Sequence, residues 1–139
     1  MKENNIHEII LSTKEKEELV DITEEVKKAV TLSKVVEGIC VVYAVHSTAA
    51  IMINENADVN LQKDVIKAIN KMVLQHDNYA HDKVDDNAAA HIKATLIGPS
   101  KTVPIIDGEL TLGSWQDIFL FEFDGPRKER RIIVQIISQ

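Results

Sequence analysis

From Ile6 to Ser12 the apolar residues are largely β-branched or aliphatic in a short run, which predicts an opening strand. Asp21 or Thr23 then caps a helix, with Glu24 three residues after Asp21 and Val26, Ala29, Val30 and Ser33 on one face. Residues 39–45 are apolar almost without a break and predict a strand buried on both sides; 51–54 predict another. Asn56 or Asp58 opens a second helix whose stripe is Leu61, Val65, Ile69, Met72 and Val73. After a polar loop at 75–86, Asn87 caps a third helix, which Gly98-Pro99 stops. Residues 102–106, 109–112, 115–123 and 130–137 read as strands, joined by turns at Asp107-Gly108 and Asp124-Gly125-Pro126.

Mixed elements at the front and a run of hairpins at the back predict an α+β fold with largely antiparallel sheets, sandwich-like, flanked by about three helices. At 139 residues the chain fits one domain, 1–139, and a 45% hydrophobic content is enough for one core. Residues 118–123 carry all three phenylalanines and would bury both strand faces, which points to a subunit interface.

A formal charge of -6 lacks the electrostatic footprint of a nucleic-acid binder. No stretch approaches the roughly 20 apolar residues that span a bilayer, and Met1-Lys2-Glu3-Asn4-Asn5 is polar, so a cytoplasmic protein is expected. The single cysteine, Cys40, excludes an intrachain disulfide and reads as a buried small hydrophobe rather than a nucleophile. Neither a dinucleotide-binding glycine fingerprint nor a P-loop is present.

Three of the five histidines stand out. His46 ends the apolar run 39–45, and His81 and His91 flank a polar loop and a helix start. Imidazole ligates zinc and related ions and also transfers protons near neutral pH, so three rings from separate segments make a metal-centred pocket the leading expectation. His91 lies about one turn inside the helix cap, where partial positive charge favours an anion. The same residues also fit a loop histidine and a helix-surface histidine.

Ser47 and Thr48 can hold phosphate oxygens or satisfy a turn's own backbone. Glu55, between Asn54 and Asn56, is a candidate base or a partner that orients a histidine. Gly113-Ser114-Trp115-Gln116 holds the only tryptophan, either a platform for a flat ring or a core filler. Arg127, Lys128, Arg130 and Arg131 cluster at a hairpin and can bind phosphate. His7 and His76 read as surface residues. The Asp77, Asp82, Asp85 and Asp86 group lacks the glycine of a calcium loop.

These segments together resemble the YjbQ-like family, also labelled secondary thiamine-phosphate synthase. The resemblance rests on His46-Ser47-Thr48-Ala49-Ala50 with Asn54-Glu55-Asn56, on Tyr79-x-His81, on Asp86-Asn87-Ala88-x-x-His91-Ile92-Lys93, and on the long pattern from Ser100 through Gly113-Ser114-Trp115-Gln116 to Ile118. It implies a compact α+β subunit that assembles as a homotrimer, with His46, His81 and His91 as shared histidines at a metal or anion site. Family members frequently have Thr at the position of Ser114, and Lys83-Val84 departs from the family's loop.

The implied reaction joins a pyrimidine methyl diphosphate to a thiazole phosphate and releases pyrophosphate. On this reading His46, His81 and His91 hold a divalent metal, Ser47, Thr48 or an arginine such as Arg127 contacts phosphate oxygens, Trp115 and Gln116 hold the pyrimidine, and Asn54, Lys93 and Ser114 complete the substrate- or anion-binding set. Three histidines suit zinc, whereas diphosphate enzymes more usually hold magnesium through carboxylates. Zinc is therefore the first expectation and magnesium the second. The alternatives are a zinc-dependent hydrolase of a phosphorylated or amide metabolite, with Glu55 as base and His46 in the catalytic set, and a non-catalytic trimer that binds a metal or a small phosphorylated metabolite.

Overall fold

The computed structural model describes residues 5–139; residues 1–4, which carry most of the polar start of the chain, lie outside it. The element order is β1 (Ile6–Leu11), β2 (Glu18–Asp21), α1 (Thr23–Ser33), β3 (Gly38–Ala44), β4 (Ala49–Asn54), α2 (Val59–Met72), a 3₁₀ turn (Ala80–Lys83), α3 (Ala88–Ile97), β5 (Ser100–Ile106), β6 (Glu109–Leu110), β7 (Asp117–Glu122) and β8 (Arg130–Ser138). Strands β1-β8-β3-β5-β6 form one sheet and β2-β7-β4 a second, with antiparallel neighbours throughout. The α+β class and the antiparallel sheets are as expected from the sequence.

Two cores lie on either side of the smaller sheet. Between the sheets, Ile118 and Leu120 of β7 meet Val42 of β3, Val134 of β8 and Val26 and Val30 of α1. On the outer face, Phe121 and Phe123 meet Ala90 and Ala94 of α3 and Val65, Ile66 and Ile69 of α2. Alternation along an extended strand produces this division.

The phenylalanines are thus covered within the subunit, which overturns their expected role at an interface. β7 is the middle strand of its sheet, and the helices supply its second face. One group of exposed apolar residues, Ile6, Ile10, Ile39, Tyr43, Ile106 and Ile137, lies on the outward side of the larger sheet.

Several boundaries moved. β2 was not anticipated: Glu18-Leu19-Val20-Asp21 is short and polar at both ends, and its pairing with β7 is distant in sequence. Asp58 caps α2, accepting from the Asn60 amide at 2.8 Å, but Met72 is 73% exposed and leaves the predicted stripe. Asn87 makes no side-chain cap on α3; Asp82 accepts the Ala88 amide instead, at 3.0 Å. Trp115 and Gln116 fall outside β7, in an exposed loop.

At one end of the sandwich, alternation turns Glu122 inward with Ile118 and Leu120. Glu122 is 0% and Arg130 4% exposed. Arg130 Nε donates to Glu122 Oε1 at 2.8 Å, its Nη2 donates to Oε2, and the same Nη2 donates to Thr48 Oγ1 at 3.0 Å. Thr13 Oγ1 donates to Glu122 Oε1 at 2.7 Å, and the Asp124 amide donates to Oε2 at 3.0 Å. Burial alone would raise the Glu122 carboxyl, but the hydrogen bonds from Arg130, Thr13 and the Asp124 amide outweigh it and hold it below the ordinary 4.5.

Arg130→Met should cost about 3–5 kcal/mol in urea denaturation at neutral pH, because it strands a buried carboxylate. Arg131→Ala, which removes an exposed pair with Glu8, should cost less than about 1 kcal/mol. A depressed folded-state value means that the Glu122 contribution is fully present above pH 4.5 and lost as pH falls through the lower folded value. In Arg130→Met that acid dependence should weaken or reverse.

Candidate functional site

The histidine pair on the α3 side forms the most defined cluster. The 3₁₀ turn carries His81, and its backbone is closed by the Val84 and Asp85 amides, which donate to the His81 carbonyl at 2.9 and 3.2 Å. His91 stands on the first turn of α3. The two rings meet edge to face, with centroids 4.9 Å apart and planes at 89°. They line a cavity of about 350 Å³ with Tyr79, Ala80, Ala88 and Ile92. Asp85 Oδ2 lies 3.9 Å from His81 Nε2.

His46 is placed differently. Its Nε2 accepts the Arg131 amide at 2.7 Å, so the neutral ring carries its proton on Nδ1. Burial, then the Arg130 guanidinium, pushes the ring below the ordinary 6.5. His46 does not line the cavity of His81 and His91. Among the described residues, the group whose ligand atoms all lie within 4.8 Å of one another is His76, Asp82 and Asp86, and His46, His81 and His91 form no such group. Within one subunit, then, His81 and His91 are brought together and His46 is not on the wall of their cavity.

The phosphate candidates near this end hold internal partners. Thr48 is buried under Arg130 and Ser47 is exposed beside it. Arg127 donates to Asp124 through Nη2 and to the Asp124 carbonyl through Nε, both at 2.9 Å. Burial alone would raise Asp124, but hydrogen bonds from Asn87, Lys16 and Arg127 hold it below its ordinary 3.8. The turn that carries Asp124 is pressed close: a Cβ on Gly125 would sit 2.0 Å from the Glu15 carbonyl oxygen. Lys93 is 1% exposed, with its ammonium on Glu17 at 2.8 Å and on Asn70. That side chain neutralises Glu17 between α2 and α3 and does not reach solvent.

The remaining candidates sit at the far end of the smaller sheet. Register places Ala49 opposite Glu122 and Asn54 opposite Asp117, so His46 and Glu55 lie beyond opposite ends of β4, whose own ends are on the order of 16 Å apart. Asn54 Oδ1 accepts the Glu55 amide at 2.8 Å, and Asn56 reaches Asp117 and Asp21. Ser114 and Gln116 line a cavity of about 410 Å³ with Lys27, Thr31 and Asp117. Gln116 Oε1 accepts the Gly113 amide at 2.8 Å, and Trp115 is 69% exposed, which removes the core-filler reading.

The comparisons with known proteins agree with this architecture. The family model described as UPF0047 protein YjbQ-like matches residues 7–139. The chain belongs to the YjbQ-like UPF0047 family. A UPF0047 protein of Methanocaldococcus jannaschii is 46% identical over 128 residues, covering 92% of this chain and 91% of that protein. The Bacillus subtilis family member YugU is 37% identical over 118 residues, 84% of this chain and 88% of the relative. A solved structure of a protein of unknown function from Sulfolobus solfataricus superposes with a TM-score of 0.94 at 41% identity, covering 96% of each chain.

Sequence reasoning set His76 aside as a surface residue. It is exposed, yet its ring lies beside Asp82 and Asp86, and the signal was the run of aspartates at 82, 85 and 86 after a histidine. Cys40 is buried, and burial pushes its thiol up to about 12, in keeping with an inert residue.

The neutral His46 ring has a measurable signature. In ¹⁵N-resolved NMR it should titrate below 6.5 and show the Nδ1-protonated tautomer at pH 7. A folded value below the unfolded one means that its contribution to stability is present above pH 6.5 and lost as pH falls through the folded value. A ring that titrates at or above 6.5 would contradict this environment.

Proposed function

We propose that this chain is a subunit of a homotrimeric cytoplasmic transferase of the secondary thiamine-phosphate synthase type, acting on small phosphorylated metabolites with His81 and His91 as its chemical centre. The edge-to-face contact of the two rings on one cavity wall carries this reading. Two imidazoles from different elements, held against one cavity, are groups that can give and take a proton.

In the transfer, the carbon–oxygen bond between the pyrimidine methylene and the diphosphate breaks, and the thiazole nitrogen's lone pair forms the new carbon–nitrogen bond. The departing diphosphate gathers negative charge, so catalysis consists of stabilising that anion and positioning the nitrogen. A protonated imidazole of the pair donates to a leaving oxygen while its neighbour orients it. Ser47 offers a hydroxyl near His46, and Arg127 reaches phosphate by exchanging Asp124 for it. His46, His81 and His91 form no metal-sized group within one subunit, and the transfer is assigned here to the His81–His91 pair.

Ser114, Trp115 and Gln116 supply the ring platform from the other end of the smaller sheet. A neighbouring subunit brings that platform to the histidines. The exposed face of Ile6, Ile10, Ile39, Tyr43, Ile106 and Ile137 supports such an assembly, because an apolar sheet face of this kind is ordinarily covered. Hydrolysis with Glu55 as base is less well supported, since β4 separates Glu55 from His46.

Incubating the protein with both substrates and converting thiamine phosphate to fluorescent thiochrome tests the reading. Wild-type protein should form product, and His81→Ala and His91→Ala should each lower kcat by about a hundredfold or more without changing the trimer mass in light scattering. Release of inorganic phosphate with no thiamine phosphate would move the assignment to hydrolysis. Saturable binding without turnover would reduce the protein to a binding module.

A further inference from the structure

We infer that His76, Asp82 and Asp86 form a binding site for a first-row divalent cation, of the zinc or manganese class, beside the cavity of His81 and His91. His76 Nδ1 lies 3.6 Å from Asp82 Oδ2 and 3.5 Å from Asp86 Oδ1. Both distances are too long for a strong hydrogen bond and suit two ligands of one ion. Ligand atoms each about 2.1 Å from a tetrahedral metal stand about 3.4 Å apart. The ligand atoms of all three residues lie within 4.8 Å of one another.

The donors are arranged for binding rather than scattered. Asp82, with a 15% exposed side chain, is held by its Oδ1 on the Ala88 amide, which leaves Oδ2 turned to His76. Asp86 and His76 are 68% and 65% exposed and reachable from solvent. The next residue, Asn87, carries a buried Oδ1 with no hydrogen-bond partner. That unmet acceptor lies one residue along the chain from Asp86, and a water or an ion would satisfy it. The mixed nitrogen and oxygen set selects zinc or manganese over calcium, which takes six to eight oxygens at longer distances.

The inference stands apart from the proposed transferase because it is read as binding, not turnover. Equilibrium dialysis of the full chain against Zn²⁺ and against Mn²⁺, with the ion counted by elemental analysis, should find about one tight ion per chain. His76→Ala and Asp86→Asn, both at exposed side chains, should each weaken binding by at least about tenfold. His81→Ala/His91→Ala should leave that affinity within about twofold of wild type. Unchanged affinity in His76→Ala, binding lost only with the His81 and His91 pair, or no retained ion would each overturn the site. Unchanged melting of His76→Ala would show that a lost ion reflects a lost ligand rather than a lost fold.

Discussion

A carboxylate and a guanidinium buried between two sheets are tolerable only if their hydrogen-bonding atoms are met, and this requirement fixes one end of the protein. Glu122 comes from the smaller sheet and Arg130 from the larger, while Thr13 follows β1 and Thr48 precedes β4. Replacing such pairs with apolar residues is often neutral for stability, so the consequence here is geometric. A slip of one residue in β7 or β8 would turn Glu122 or Arg130 to the wrong face. The next residue after Arg130 then offers its amide to His46, so the buried pair also sets the tautomer and position of that ring.

The other organising constraint is the two-sided burial of β7. Ile118 and Leu120 enter the core between the sheets, while Phe121 and Phe123 serve the core beneath the helices, with those two rings stacked at 4.2 Å. α3 is fixed against this strand through Ala90 and Ala94. Lys101 donates to the Ile97 and Ile51 carbonyls at 2.7 and 2.8 Å, tying the end of α3 to β4. His91 is therefore mounted on a helix held at its start by Asp82 and at its end by Lys101.

The regular elements were legible because their patterns are local. The stripe of α1, the apolar run of β3 and the Gly98-Pro99 stop each need only neighbouring residues. β2 was not, since its four residues are a strand only because β7 lies beside them. Site residues followed the same division. His81 and His91 were found as a pair of residue types near a helix start, and their rings do meet. Lys93 was misjudged because nothing near it in sequence announces Glu17 and Asn70, its partners from two other segments. The separation of Glu55 from His46 follows from strand direction, which a motif does not carry.

Electrostatics at the histidine end limits how any phosphorylated ligand can enter. Arg127 and Lys16 already face Asp124, Arg130 faces Glu122, and Arg131 faces Glu8. The chain as a whole carries a formal -6. A diphosphate approaching His81 and His91 therefore meets Asp85 near one ring and Asp82 and Asp86 close by, and its own charge is repelled unless a positive charge is supplied. An arginine can supply it only by abandoning a carboxylate, which then needs a new partner. The proposed cation on His76, Asp82 and Asp86, tested as binding alone, would lower the same repulsion without breaking any of those pairs. On the proposed function, the histidine cavity and the acidic residues at 82, 85 and 86 would then form one electrostatic arrangement instead of opposing each other.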